Sequence, residues 1–126
     1  MRKAIRIGLM ISIAFGLSGC LGGATEPVIV IGKYQLESVN GASLPYIFPN
    51  GVGIKSEVIE LKEDGSFTDN AEHSDGTTLS DVGTYTNYGN TVILYDQTLG
   101  FVYQGLVDGK TMSVTVGSYT ERFVRP

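Results

Sequence analysis

The feature that most constrains this chain is the regular recurrence of turn dipeptides beyond residue 40. Asn40-Gly41, Asn50-Gly51, Asp64-Gly65, Asp75-Gly76, Gly89-Asn90 and Asp108-Gly109 combine residues that tolerate positive φ, as tight hairpin turns require. Between them lie segments rich in Val, Ile, Thr, Tyr and Phe, side chains that suit a pleated, half-buried surface. Alternation with a period of two picks out one face of these segments. Tyr34 shares it with Leu36, Ile59 with Leu61, Val92 with Leu94, Tyr103 with Val107, and Met112 with Val114 and Val116. Phe67 and Phe123 add aromatic bulk at the start and end of their segments. Gln35, Glu60, Lys62, Gln104, Ser113 and Thr115 fall on the other parity, as expected where a sheet meets water. Strands are therefore predicted near 33–39, 44–48, 54–63, 66–74, 80–87, 91–96, 100–107 and 110–124, the last as a hairpin. Sequential antiparallel strands hide their edges best by closing on themselves. The expectation is an all-β chain, a small antiparallel up-and-down barrel of about eight strands, with a two-sheet β-sandwich as the alternative.

The first residues follow a different pattern. Arg2, Lys3 and Arg6 precede the apolar run Ile7–Leu17, which is too short for a membrane-spanning helix and suits a secretory signal. Leu17-Ser18-Gly19-Cys20 then resembles the lipobox of bacterial lipoproteins, in which the cysteine is lipidated and becomes the new N-terminus. Cys20 is the one cysteine of the chain, so no internal disulfide and no multi-thiolate zinc site is available. The resemblance implies residues 1–19 as a lipoprotein signal peptide, 20–31 as lipidated cysteine and small-residue tether, and 32–126 as the barrel domain. It also implies a membrane partner through the lipid on Cys20, where two or three acyl chains hold firmly and one holds marginally. Leu21, with no Asp in its place, resembles lipoproteins sent on to an outer membrane in hosts that have two, facing the periplasm or the surface.

A second resemblance lies in the domain itself. Gly32–Pro45, Leu61-Lys-Glu-Asp-Gly-Ser-Phe67, Gly83-Thr-Tyr85, Gly89-Asn-Thr-Val-Ile-Leu94 and Tyr103-Gln-Gly105 are similar to the strands and turns of small bacterial lipocalin-like lipoproteins. That family implies a short barrel, either filled by side chains or holding one small ligand.

Charge and composition exclude several functions. The residues after 19 keep all 13 acidic side chains and only Lys33, Lys55, Lys62, Lys110, Arg122 and Arg125, a side-chain charge of −7. This argues against nucleic acid as a partner and leaves membrane attachment to the lipid. His73 is the one histidine, and Asp69, His73 and Asp75 share strand parity, so they are a candidate cation site; the competing reading is a solvated hairpin. No serine can be placed beside that histidine, and none of the carboxylates stands out as buried among apolar neighbours. The chain is therefore read as no enzyme and as needing no cofactor.

Leu44-Pro-Tyr-Ile-Phe-Pro49 is the candidate rim: two prolines frame Tyr46, Ile47 and Phe48, either as a lid or partner patch or as a short edge strand tucked against the barrel end. Inward-facing Gly83 and Gly105 would open a pocket beside Tyr85 and Tyr103, while the bulk of the other inward residues favours a filled interior. Two functions follow. One is a structural or protein-interaction module of the cell envelope, in contact with an envelope protein. The other is a binding module for a small apolar or amphipathic ligand.

Replacing the lipid acceptor tests the address: Cys20→Ala releases the protein from the membrane fraction or leaves it unprocessed. A Cys20→Ala protein that fractionates with membranes in mature, cleaved form contradicts the lipobox reading.

Overall fold

The computed structural model describes residues 28–126; the expected signal peptide, Cys20 and the first part of the expected tether lie outside the described residues. The described chain holds ten strands and no helix: β1 (Gly32–Val39), β2 (Ala42–Ser43), β3 (Tyr46–Ile47), β4 (Gly53–Leu61), β5 (Ser66–His73), β6 (Thr78–Tyr88), β7 (Thr91–Asp96), β8 (Phe101–Asp108), β9 (Thr111–Val116) and β10 (Tyr119–Val124). All belong to one antiparallel sheet in the order β2-β1-β10-β9-β8-β7-β6-β5-β4-β3, which β1 closes by pairing with β4 as well. The result is an eight-stranded up-and-down barrel, β1 with β4 to β10, and two short strands outside the ring. The sandwich alternative falls because a single sheet returns on itself.

Closure is uneven. Gly32, Lys33, Tyr34 and Gln35 of β1 face Leu61, Glu60, Ile59 and Val58 of β4. Beyond Gln35 the two strands no longer pair. There Ser38 and Val39 take up β2, and Gly53 and Ile54 take up β3. The excursion through residues 40–52 thus occupies the seam at one end of the barrel. It begins at Asn40-Gly41, both at positive φ (50° and 82°), the two-residue turn that dipeptide favours. The segment expected as a strand over 44–48 pairs only at Tyr46 and Ile47, because Pro45 and Pro49 have no N–H to give a ladder. The last predicted segment is the expected hairpin, turning at Gly117.

The inward parity matches the apolar alternation. Tyr34, Leu36, Ile59, Leu61, Phe67, Val92, Leu94, Val107, Met112, Val114 and Phe123 are buried, while Tyr103 and Val116 pack at the margin of the core. One end is sealed by the two ends of the described chain. The Tyr34 hydroxyl donates to Val30 O (2.6 Å), and the Arg125 guanidinium lies 5.2 Å from the Tyr34 ring centroid. Arg125 also donates to Ile31 O and Ile29 O, each at 2.7 Å, so the C-terminus clamps the segment that leads into β1.

Parity sets the stability prediction. Leu61→Ala loses about 2–4 kcal/mol because it empties a fully buried site, whereas Thr115→Ala on the outer face stays within about 0.5 kcal/mol. Urea unfolding followed by circular dichroism measures both; equal losses would contradict the register.

Candidate functional site

The period-two rule that gives the apolar core also carries acids inward. Glu57 lies two residues before Ile59 on β4, Asp69 two after Phe67 on β5, and Glu121 two before Phe123 on β10. Asp96 lies two after Leu94 on β7, and Asp81 two before Gly83 on β6. Asp69 and Asp81 are directly opposite one another across β5 and β6. Glu57, Asp81 and Asp96 are only 7%, 2% and 3% exposed. The expectation that no carboxylate is buried among apolar neighbours is overturned. Nothing in local propensity favours an acid in the core, so the signal available was parity alone.

Four of these acids, Glu57, Asp69, Asp81 and Glu121, line a cavity of about 170 Å³ at the end of the barrel away from Arg125. Ile59, Leu94 and Val114 form its apolar wall, and Phe48, His73 and Leu99 stand near its mouth. The volume is close to that of the engineered apolar cavity, about 150 Å³, that holds benzene. At the sealed end the interior is filled, as the bulk of the inward residues implied. Gly83 and Gly105 do not open a pocket: a Cβ on Gly83 would meet Phe67 Cε1 at 2.6 Å, and one on Gly105 would meet Met112 at 3.4 Å. The space those glycines leave is taken by neighbouring side chains.

The acids have few partners. The Asp96 Oδ1 accepts the Leu99 N–H at 2.9 Å. Asp69 Oδ1, Asp81 Oδ1 and Asp96 Oδ2 are buried with no hydrogen-bond donor from the rest of the protein. Asp81 and Asp96 lie within hydrogen-bonding reach of each other, and so do Glu57 and Asp69. One proton between two carboxyls satisfies each pair, and two negative charges in one buried pair would repel. Burial, and then the neighbouring carboxyls, push Asp81 up to about 7 and Glu57 well above the usual carboxylate range. Glu121 is pushed up to about 7 by burial and by Asp69, and Asp69 itself is raised by burial. The Tyr103 phenol rises to about 12, first through burial and then through Asp96 and Asp81.

The candidate cation site at Asp69, His73 and Asp75 does not assemble. Asp69 points inward and His73 sits at the cavity mouth. Asp75 is exposed in the β5–β6 turn, where it accepts from Thr77 N (2.9 Å) and Thr77 Oγ1 (2.6 Å). Asp64 makes the same turn contacts with Ser66, and these hydrogen bonds hold both turn carboxylates below the usual range. Among the described residues no three His, Cys, Asp or Glu side chains are arranged to hold one metal ion.

The rim residues separate. Phe48 and Tyr103 line the cavity, and Tyr46, Phe48 and Tyr119 form an edge-to-face cluster with centroids 5.0–6.2 Å apart. Ile47, 54% exposed, faces outward. Tyr85 does not belong to the rim: it lies towards the sealed end, its hydroxyl donating to Lys62 O at 2.5 Å. Comparison of the chain with protein-family models, with curated proteins and with solved structures gives no match.

The buried acids make stability depend on pH. A carboxyl raised in the folded state binds its proton more tightly there than in the unfolded chain, so stability falls as pH rises from about 4 to about 7 and stays lower above that. The melting temperature is expected to be higher at pH 5 than at pH 8. Asp81→Asn, which needs no proton to stay neutral, should raise it at pH 8 by about 5 °C, roughly what 1 kcal/mol does in a domain this size. A melting temperature that is flat or rising over this range contradicts the assignment.

Proposed function

We propose that this chain is a lipid-anchored, extracytoplasmic binding module of the bacterial cell envelope, a lipocalin-like barrel that holds a small amphipathic ligand at one end. The observation that carries the reading is the cavity of about 170 Å³, where polar groups converge on an apolar wall. Few well-placed polar groups in a mostly apolar concavity are the usual make-up of a small-molecule site. The volume suits a compact ligand of about the size of a benzene ring with a short substituent, and not a long acyl chain. The aromatic cluster of Tyr46, Phe48 and Tyr119 serves as its rim. The reading assigns binding and no catalysis.

A second reading rests on a different surface. Val82, Tyr95, Val102 and Leu106 are exposed on the outer face of β6, β7 and β8, and Val102 faces Tyr95 across the ladder. An apolar strip on the outside of a barrel suits contact with an envelope protein, which would make the domain a structural or protein-interaction module.

Methyl and aromatic NMR shifts on addition of indole separate the two. The cavity reading expects perturbation at Leu94 and Val114 that disappears in Ala71→Leu, whose larger side chain fills the space. Shifts confined to Tyr95, Val102 and Leu106, unchanged by Ala71→Leu, would favour the outer strip and contradict the cavity reading.

A further inference from the structure

The acids in the cavity have no opposite charge of their own. None of the six Lys and Arg side chains among the described residues lines it. Lys55 pairs with Glu72 at 3.6 Å on the outer face, Arg122 pairs with Glu37 outside, and Arg125 is held at the sealed end. Meanwhile Asp81 lines the cavity while only 2% exposed, with its Oδ1 lacking any donor. A buried acceptor without a donor is costly, and a carboxylate pair without a cation or a proton more so. The acids are therefore satisfied either by shared protons or by a cation that enters the cavity.

We infer that the ligand of this cavity is a small organic ammonium ion, its charged head at Asp69 and Asp81, which face each other across β5 and β6, with Glu57 and Glu121 beside them, and its apolar body against Ile59, Leu94 and Val114. The inference rests on the cavity being a binding site and adds the charge of what it binds. A bare divalent ion fits less well, because no three of these side chains converge on one point and most of the wall is apolar. An ammonium group instead needs only one or two carboxylates, and the organic body it carries fills the apolar part of the space.

Binding exchanges a cation for protons. The titratable groups lining the space are Glu57 on β4, Asp69 and His73 on β5, Asp81 on β6, Tyr103 on β8 and Glu121 on β10, with Asp96 on β7 behind them beside Asp81. Val39 of β1 and Val114 and Val116 of β9 add none. In the empty cavity the carboxyl pairs hold their protons because burial and mutual repulsion disfavour charge. An ammonium head favours the ionised carboxylates, so those protons leave to the buffer as it enters, and affinity rises with pH until the amine itself deprotonates.

The test is isothermal titration of the full lipidated chain in detergent micelles at about pH 7.5, where Asp81 and Glu121 are poised to give up protons. The probes are 2-phenylethylamine, the neutral 2-phenylethanol of the same shape, and calcium chloride. The amine is expected to bind about tenfold or more tighter than the alcohol, the scale of a charge-assisted hydrogen bond, with a heat that varies with buffer ionisation enthalpy as protons are released. Asp81→Asn and Glu121→Gln should each weaken the amine by about tenfold and leave the alcohol unchanged, while Glu60→Gln on the outer face binds like wild type. Alcohol binding as tight as the amine, with no proton release, would overturn the ammonium inference and leave the cavity reading intact. Calcium binding that depends on Asp81 and excludes the amine would overturn it in favour of a metal ion. Absence of binding by both organic probes would overturn both readings.

Discussion

The pairing of β1 with β4 is the constraint on which the rest of this structure depends. Without it the ten strands form an open sheet with two bare edges; with it, every barrel strand is hydrogen-bonded on both sides along at least part of its length. The pairing covers only Gly32–Gln35 against Val58–Leu61. That half of the seam brings Tyr34, Leu61 and Phe123 together as a fully buried plug, which Arg125 covers from outside. Where the pairing stops, the chain inserts residues 40–52 instead, and the interior widens into the cavity. Glu57 stands one residue beyond the last paired position of β4, at the boundary between the plug and the cavity.

The two ends of the barrel therefore use the same inward parity for different purposes. At the sealed end it delivers large apolar side chains such as Tyr34, Leu61 and Phe123. At the other end it delivers carboxyls. Placing acids in a core destabilises the fold unless each is paired or protonated, and here they are arranged as pairs that one proton can bridge. Such an arrangement is hard to account for by stability alone, since apolar residues of similar size would serve the barrel better. The proposed binding role at that end would account for the cost, in keeping with the tendency of perturbed titratable groups to cluster at sites.

Most of the fold was legible in the sequence because two simple signals agreed. The turn dipeptides marked the hairpins, and alternation named residues such as Leu61, Val92 and Met112 that prove to be buried. The segment 44–48 was harder, since its apolar content suggested a strand while its prolines limit pairing to Tyr46 and Ile47. The candidate site was much less legible. Asp69 drew notice only beside His73 and Asp75, where the turn chemistry of Asp75 is a complete explanation for that residue. Glu57, Asp81, Asp96 and Glu121 were hidden because an acid in a strand is ordinarily read as outward-facing, although each sits on the parity of its buried neighbours. Tyr85 misled for the opposite reason: its parity is inward as read, but its position along β6 places it at the filled end.

The central claim is that a group of carboxyls inside the barrel holds protons that ordinary surface acids lose. Carboxyl-carbon NMR titration of Asp and Glu side chains measures this directly. Midpoints near 7 for Asp81 and Glu121, with Asp64 and Asp75 titrating below the usual range, are the predicted result. Ordinary carboxylate midpoints, about 4, for Asp81 and Glu121 as for exposed acids would contradict it.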